Sequence, residues 1–156
     1  MKAVTWMDSP VGTLRLSEEN GALTELLFEA WDGKTPKAET ELLRVAQREL
    51  REYFAGERRE FTLPLSPKGT PFQRRVWDAL LTIPYGETRS YGEIAALAGS
   101  PKASRAVGAA NHRNPISIFI PCHRVIGADG SLTGYGGGLE VKRALLELEQ
   151  NKKYQK

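Results

Sequence analysis

The sequence predicts an α+β fold in two parts: a small antiparallel sheet with one covering helix, then a helical half built around a helix-turn-helix. Three observations predict it. Residues 2–28 hold three short extended runs separated by turn residues, the apolar spacing becomes helical beyond residue 66, and the charge changes sign at the same place. Residues 1–65 carry 9 Lys or Arg against 12 Asp or Glu, whereas residues 66–156 carry 13 against 7. The expected domains are therefore 1–65, sheet and helix, and 66–156, the half suited to a polyanionic partner.

Lys2 to Met7, Thr13 to Ser17 and Leu23 to Phe28 read as strands, with Asn20-Gly21 as a tight hairpin turn. From Glu39 to Phe54 the positions Leu42, Leu43, Ala46, Leu50, Tyr53 and Phe54 recur at helical spacing, and Gly56 stops the run. Phe61, Leu63 and Leu65 alternate like a further extended segment before Ser66-Pro67-Lys68-Gly69. Thr70-Pro71 then opens a helix whose stripe is Val76, Trp77, Leu80 and Leu81. A second helix spans about Ser90 to Ala98, capped by Ser90 and Glu93, with Ile94, Ala95 and Leu97 inward. After Gly99-Ser100-Pro101, Lys102 to Asn111 reads as a third helix, completing a helix-turn-helix. Ile116 to Ile120 reads as a buried strand, and a last helix runs from Lys142 to Gln150.

Composition excludes several classes. The 156 residues are 40% hydrophobic and 26% charged, an ordinary globular balance, and a chain of this length buries enough surface to fold without cross-links. One cysteine, Cys122, permits no internal disulfide, and with only His112 and His123 beside it no metal site is expected. No apolar run approaches the ~18 residues of a membrane span, and the N-terminus lacks a signal pattern. A soluble intracellular protein is expected: cytoplasmic, nucleoid-associated in a prokaryote or nuclear in a eukaryote.

The chemistry concentrates late in the chain. The third helix carries Ala103, Ser104, Ala106, Gly108, Ala109 and Ala110 around a single long cation, Arg105. Glycine inside a helix costs about 1 kcal/mol relative to alanine, so close approach to this backbone is expected. Helix packing is one explanation; insertion into a narrow DNA minor groove, which favours a cation on a slim face, is the other. Pro121-Cys122-His123-Arg124-Val125 follows, setting a thiol beside an imidazole, with Arg124 adding positive potential that favours thiolate. Side chains of neighbouring residues diverge in a strand, so His123 needs a turn or a bridging water to take the thiol proton.

Pro121-Cys122-His123-Arg124-Val125 resembles the active-site motif of the O6-alkylguanine-DNA alkyltransferases. Residues from about Thr70 to Glu149 resemble the family's C-terminal domain throughout: Pro71-Phe72-Gln73, Val76-Trp77, Ile83-Pro84-Tyr85-Gly86-Glu87-Thr88, Ser90-Tyr91, Arg105-Ala106-Val107-Gly108, Asn114-Pro115 and Gly134-Tyr135. The resemblance implies a ribonuclease-H-like sheet and helix in residues 1–65 and a winged-helix-like, DNA-binding and alkyl-acceptor domain in 66–156. It implies direct-reversal repair: one alkyl group leaves O6 of guanine, with O4 of thymine a second site, for Cys122 in a single turnover without a cofactor. The partner implied is duplex DNA containing O6-alkylguanine, contacted through the minor groove by a monomer, with no membrane involved.

Residue by residue, the resemblance makes Cys122 the acceptor, His123 its base through a water, and Glu149 the partner of the other imidazole nitrogen. Asn114 becomes the hinge between the recognition helix and the active-site segment, and Tyr91 the donor to guanine N3. Arg105 fills the stack left by the flipped nucleotide, while backbone amides at Tyr91, Gly92 and near Ser100 contact phosphates. Carbonyls of Cys122 and Val125 receive the exocyclic amine, Gly136 N–H meets the oxygen, and Tyr135, Gly136 and Gly137 line the pocket. Gly136 and Ser117 depart from residues many relatives carry, which bears on pocket width. Two other classes share these features: a Cys-His hydrolase, which turns over and needs an oxyanion site, and a pure binding module without chemistry.

Overall fold

The structure, a computed structural model, describes residues 2–151. Two compact units are present, Met1–Pro67 and Lys68–Lys156. The first unit is an antiparallel meander, β1 Lys2–Ser9, β2 Gly12–Glu19 and β3 Ala22–Phe28, in the order β1-β2-β3. Asn20 and Gly21 both have positive φ, 54° and 79°, the conformation that closes a two-residue hairpin with the strands' own twist. Helix α1, Glu41–Phe54, packs on all three strands and buries Leu43, Ala46, Leu50 and Tyr53 against Leu14, Leu16, Leu23 and Leu26. Its N-cap is Thr40, one residue beyond the expected start at Glu39. The extended segment expected at Phe61 to Leu65 makes a single parallel bridge, Leu23 with Leu65. Its anchor is the buried carboxylate of Glu49, which accepts from Thr62 N at 3.0 Å.

The second unit holds α2 Pro71–Leu80, α3 Tyr91–Leu97, α4 Ser104–His112 and α5 Leu139–Gln150, with two-residue strands β4 Arg89–Ser90 and β5 Val125–Ile126 pairing in parallel. Capping boxes start α2 (Thr70 with Gln73) and α3 (Ser90 with Glu93). Trp77 donates Nε1 to Ala110 O at 2.9 Å, fastening α2 to α4. A Cβ on Gly69 would meet the Trp77 ring at 2.4 Å, so glycine is needed at that approach.

The structure corrects five expectations here. Leu81, expected in the buried stripe of α2, is 47% exposed at the helix C-cap, and Ala79 takes its place in the buried face. Leu97 is 58% exposed rather than inward, because Ala98, one turn after Ile94, takes the buried place. Helix α4 starts at Ser104, since Ser100 to Lys102 still belong to the turn after α3. Ser100 N–H donates to Ala95 O and Gly99 N–H to Ala96 O, a closed helix cap with Gly99 at φ 82°. The buried run Ile116 to Ile120 is a folded-back loop, not a strand: Ser117 bridges Ile120, and Ile118 sits at φ 74°. Finally, the nearest neighbour of Gly108 is the Tyr91 ring, 3.9 Å from where a Cβ would stand, an ordinary contact that alanine also satisfies.

Candidate active site

Asn114 shapes the loop that delivers the cysteine. Its Oδ1 accepts from Ile116 N at 3.0 Å and its Nδ2 donates to Ile120 O at 2.8 Å, so one buried amide closes residues 116–120 on themselves. That cross-brace holds Ile118 at positive φ, a conformation a β-branched residue rarely adopts. After Pro121 the chain enters a 3₁₀ turn, Cys122–Arg124, in which successive side chains are about 120° apart rather than opposed as in a strand. The turn buries Cys122 (3% exposed), His123 (0%) and Arg124 (6%).

Glu149, in the last turn of α5, organises two of these. His123 Nε2 lies 2.7 Å from Glu149 Oε2, while Arg124 donates Nε to Oε1 at 2.7 Å and Nη2 to Oε2 at 3.0 Å. Arg124 Nη1 donates to Ile83 O at 2.7 Å. Burial opposes ionisation of Glu149, but His123 and Arg124 outweigh it and hold the carboxyl well below the usual carboxylate range. Burial pushes His123 down, against the pull of Glu149, and Arg124 and Lys142 push it further, so the imidazole is neutral at pH 7. With Glu149 ionised, the ring hydrogen sits on Nε2 and Nδ1 is a base. Nδ1 is buried and has no protein partner among the described residues.

Burial also pushes the Cys122 thiol up, and Asn114, Lys142, Ser117 and Tyr135 work the other way. The cation acting on the sulfur is thus Lys142, which corrects the part expected of Arg124: the guanidinium is spent on Glu149 and Ile83. Lys142 is fully buried, donates to Val125 O at 2.6 Å and Thr133 O at 3.1 Å, and is brought down to about 8 by burial, with Cys122 opposing. Sequence reasoning missed Lys142, although a signal was there. Lys142, Leu145, Leu146 and Glu149 stand at i, i+3, i+4 and i+7, so both charges lie on the buried stripe of α5.

The remaining candidates sit around this turn. The β4–β5 pair sets Ser90 beside Ile126, and Tyr91 follows directly, half-buried, its hydroxyl bonded to Thr133 Oγ1. Val125 and Tyr135 are buried, Gly137 is half-buried, and Gly136 is exposed with open space where a Cβ would point. Arg105 is exposed on α4 with Ala106 and Ala109, and Gly92 is exposed at the start of α3. Ser100 is half-buried, and because its N–H closes the cap of α3, an anion there would meet its hydroxyl and not that amide. Cys122 O accepts a long bond from Asn111 Nδ2, 3.3 Å, and one from Val125 N–H.

Two family models cover most of the chain: the 6-O-methylguanine DNA methyltransferase DNA-binding domain over residues 71–151, and the ribonuclease-like domain of the same enzymes over residues 3–67. The chain belongs to the 6-O-methylguanine DNA methyltransferase family. Within this family, a constitutive methylated-DNA–protein-cysteine methyltransferase of Bacillus subtilis is 53% identical over 159 residues, spanning 96% of each chain. The crystal structure of the Mycobacterium tuberculosis O6-methylguanine methyltransferase matches with a TM-score of 0.87 and 51% identity, over 100% of this chain and 97% of that one. A crystal structure of the Mycobacterium tuberculosis OGT in complex with DNA matches with a TM-score of 0.87 and 53% identity, over 97% and 94%. Membership of this methyltransferase family decides against the hydrolase and the pure binding module. Among the described residues no helix is long and apolar enough to cross a membrane.

Proposed function

We propose that this chain repairs alkylated DNA by direct reversal, moving one alkyl group from O6 of guanine, or O4 of thymine, to Sγ of Cys122 and ending its working life there. The observation that carries the reading is the buried Cys122 beside a neutral His123, whose Nε2 is fixed by ionised Glu149 and whose Nδ1 has no protein partner among the described residues. A bridging water joins that nitrogen to the thiol and carries its proton away, and the imidazolium so formed is balanced by Glu149. Lys142 supplies the positive charge for the thiolate in a site that burial otherwise makes hostile to it.

The alkylated oxygen lies inside a duplex, so the nucleotide is flipped into the pocket beside Cys122. Duplex DNA meets the protein, acting as a monomer, from the minor groove through α4. Exposed Arg105 fills the stack, and Ala106 and Ala109 let the backbone approach. Tyr91 O–H donates to guanine N3, Gly136 N–H meets O6, and Val125 O takes the exocyclic amine. Cys122 O already holds two donors and is the weaker acceptor for that amine. Sγ then attacks the alkyl carbon in line with the departing oxygen. The S–C bond forms, the C–O bond breaks with its electron pair left on guanine, and the proton held on His123 passes back through the water to the released guanine, leaving the imidazole neutral. The atoms balance without a cofactor. A thioether is not hydrolysed by a neutral imidazole, so one event per chain is expected.

The test is incubation with duplex carrying a radiolabelled O6-methylguanine. Label is expected on the peptide holding Cys122, one equivalent per chain. Product beyond one equivalent, or label that stays on DNA, would overturn the reading.

A further inference from the structure

We infer that Asn111 is a positioning residue for the acceptor, its Nδ2 fixing the Cys122 carbonyl and its Oδ1 holding the water that carries the thiol proton to His123. The inference rests on the proposed transfer to Cys122 and adds to it a residue from the DNA-facing helix.

Asn111 lies near the end of α4, 4% exposed, six positions after Arg105 and on a different face of the helix. Its amide is oriented by one bond, Nδ2 to Cys122 O at 3.3 Å. The flipped amide would set two oxygens against each other, so Nδ2 belongs on this side. Oδ1 then points elsewhere, buried and without a protein partner among the described residues. His123 Nδ1 is in the same condition. Both atoms are acceptors, because the imidazole hydrogen is committed to Glu149. Both also flank Cys122: Asn111 is bonded to its carbonyl, and His123 is the next residue.

Buried acceptors are seldom left unmet. The Cys122 thiol offers one hydrogen and can serve only one of them. A single water serves both, donating one hydrogen to His123 Nδ1 and the other to Asn111 Oδ1 while accepting from Sγ–H. Three partners are what a buried water ordinarily has. In that arrangement Asn111 keeps one hydrogen of the water throughout, which leaves the other aimed at His123. The thiol proton passes to the water oxygen, the aimed hydrogen passes to Nδ1, and no atom needs to reorient. Asn114 acts separately: its amide bonds to Ile116 and Ile120 and shapes the loop, and it lowers the Cys122 thiol directly.

Two variants, Asn111→Leu and Asn111→Met, remove both polar atoms while keeping the same number of side-chain heavy atoms. The assay is benzyl transfer from free O6-benzylguanine across pH, which needs no DNA, together with the pH midpoint of iodoacetamide labelling of Cys122. Transfer near neutral pH is expected to fall on the order of a hundredfold, the lower end of what a positioned proton-transfer group contributes. The deficit should shrink as pH rises, because solvent then removes the thiol proton unaided, and the labelling midpoint should move up. A loss by the same factor at every pH, with an unmoved midpoint, would make Asn111 a packing residue and overturn the inference. Wild-type transfer in the same assay separates the two claims: if the wild type fails to alkylate Cys122, the proposed function fails, whereas unaltered variants beside an active wild type sink only the part given to Asn111.

Discussion

Replacing Glu149 by Gln tests whether one carboxylate holds the site together. The side chain keeps its shape but loses its charge, and both of its partners are buried: His123 is 0% and Arg124 6% exposed. Arg124 could still donate to the one remaining amide oxygen and to Ile83 O, but the amide NH2 replaces its second acceptor and the guanidinium charge is left unbalanced away from water. Removing one member of a buried ion pair costs about 3–5 kcal/mol, a large share of the roughly 5–15 kcal/mol that holds a domain folded. The effect has a pH signature. In the fold Glu149 is held well below its ordinary value of 4.5, so the folded state favours the ionised form. The stability it supplies is full above about 4.5 and is lost as pH falls through the depressed folded value. The gap between wild type and Glu149→Gln in urea unfolding should therefore be widest near neutral pH and narrow on acidification below about pH 4.5. Equal midpoints at neutral pH, or a gap that stays constant into acid, would refute the reasoning. Transfer should fall by about a hundredfold in the same variant, because the imidazolium loses its counter-charge.

Cys122→Ser should abolish transfer yet keep DNA binding, read by mass spectrometry and by gel shift, because the hydroxyl is barely ionised at neutral pH and fills the same space. His123 is held below its ordinary 6.5, so transfer to free benzylguanine should stay flat as pH falls through that value; a drop centred there would mean an exposed, unperturbed imidazole. Arg105→Ala should slow reaction with duplex far more than reaction with free base, since only the duplex requires extrusion, and equal losses would give Arg105 a role in folding. With open space around Gly136, benzyl should transfer as well as methyl, and a wild type that rejects benzyl would shift the pocket wall to Ser117 or Tyr135.

Local signals carried most of the fold. Thr70 with Pro71 and Ser90 with Glu93 announce helix starts in a few adjacent residues, and Asn20-Gly21 announces a hairpin, because each device works through bonds within its own segment. Expectations failed where a distant partner decides the conformation. Ile116 to Ile120 has the composition of a strand, but the Asn114 amide bonds both ends of the run and folds it into a loop. The turn at Cys122 follows from that loop, and with it the placement of thiol and imidazole that a strand would have opposed.

The charges show the same division. Adjacency in sequence made Arg124 the natural cation for Cys122, yet the guanidinium turns to Glu149, twenty-five positions on, and Lys142 on α5 serves the sulfur instead. Both long-range partners come from one face of a single helix. That arrangement gives α5 a function beyond packing: it brings an anion for the imidazole and a cation for the thiol, seven residues and two helical turns apart. Glu149 is bonded to His123 Nε2, and Lys142 offsets part of the burial that pushes the Cys122 thiol up. Separating the two charges along a rigid helix lets each act on its own target, because at contact distance they would neutralise each other and leave burial unopposed at the thiol.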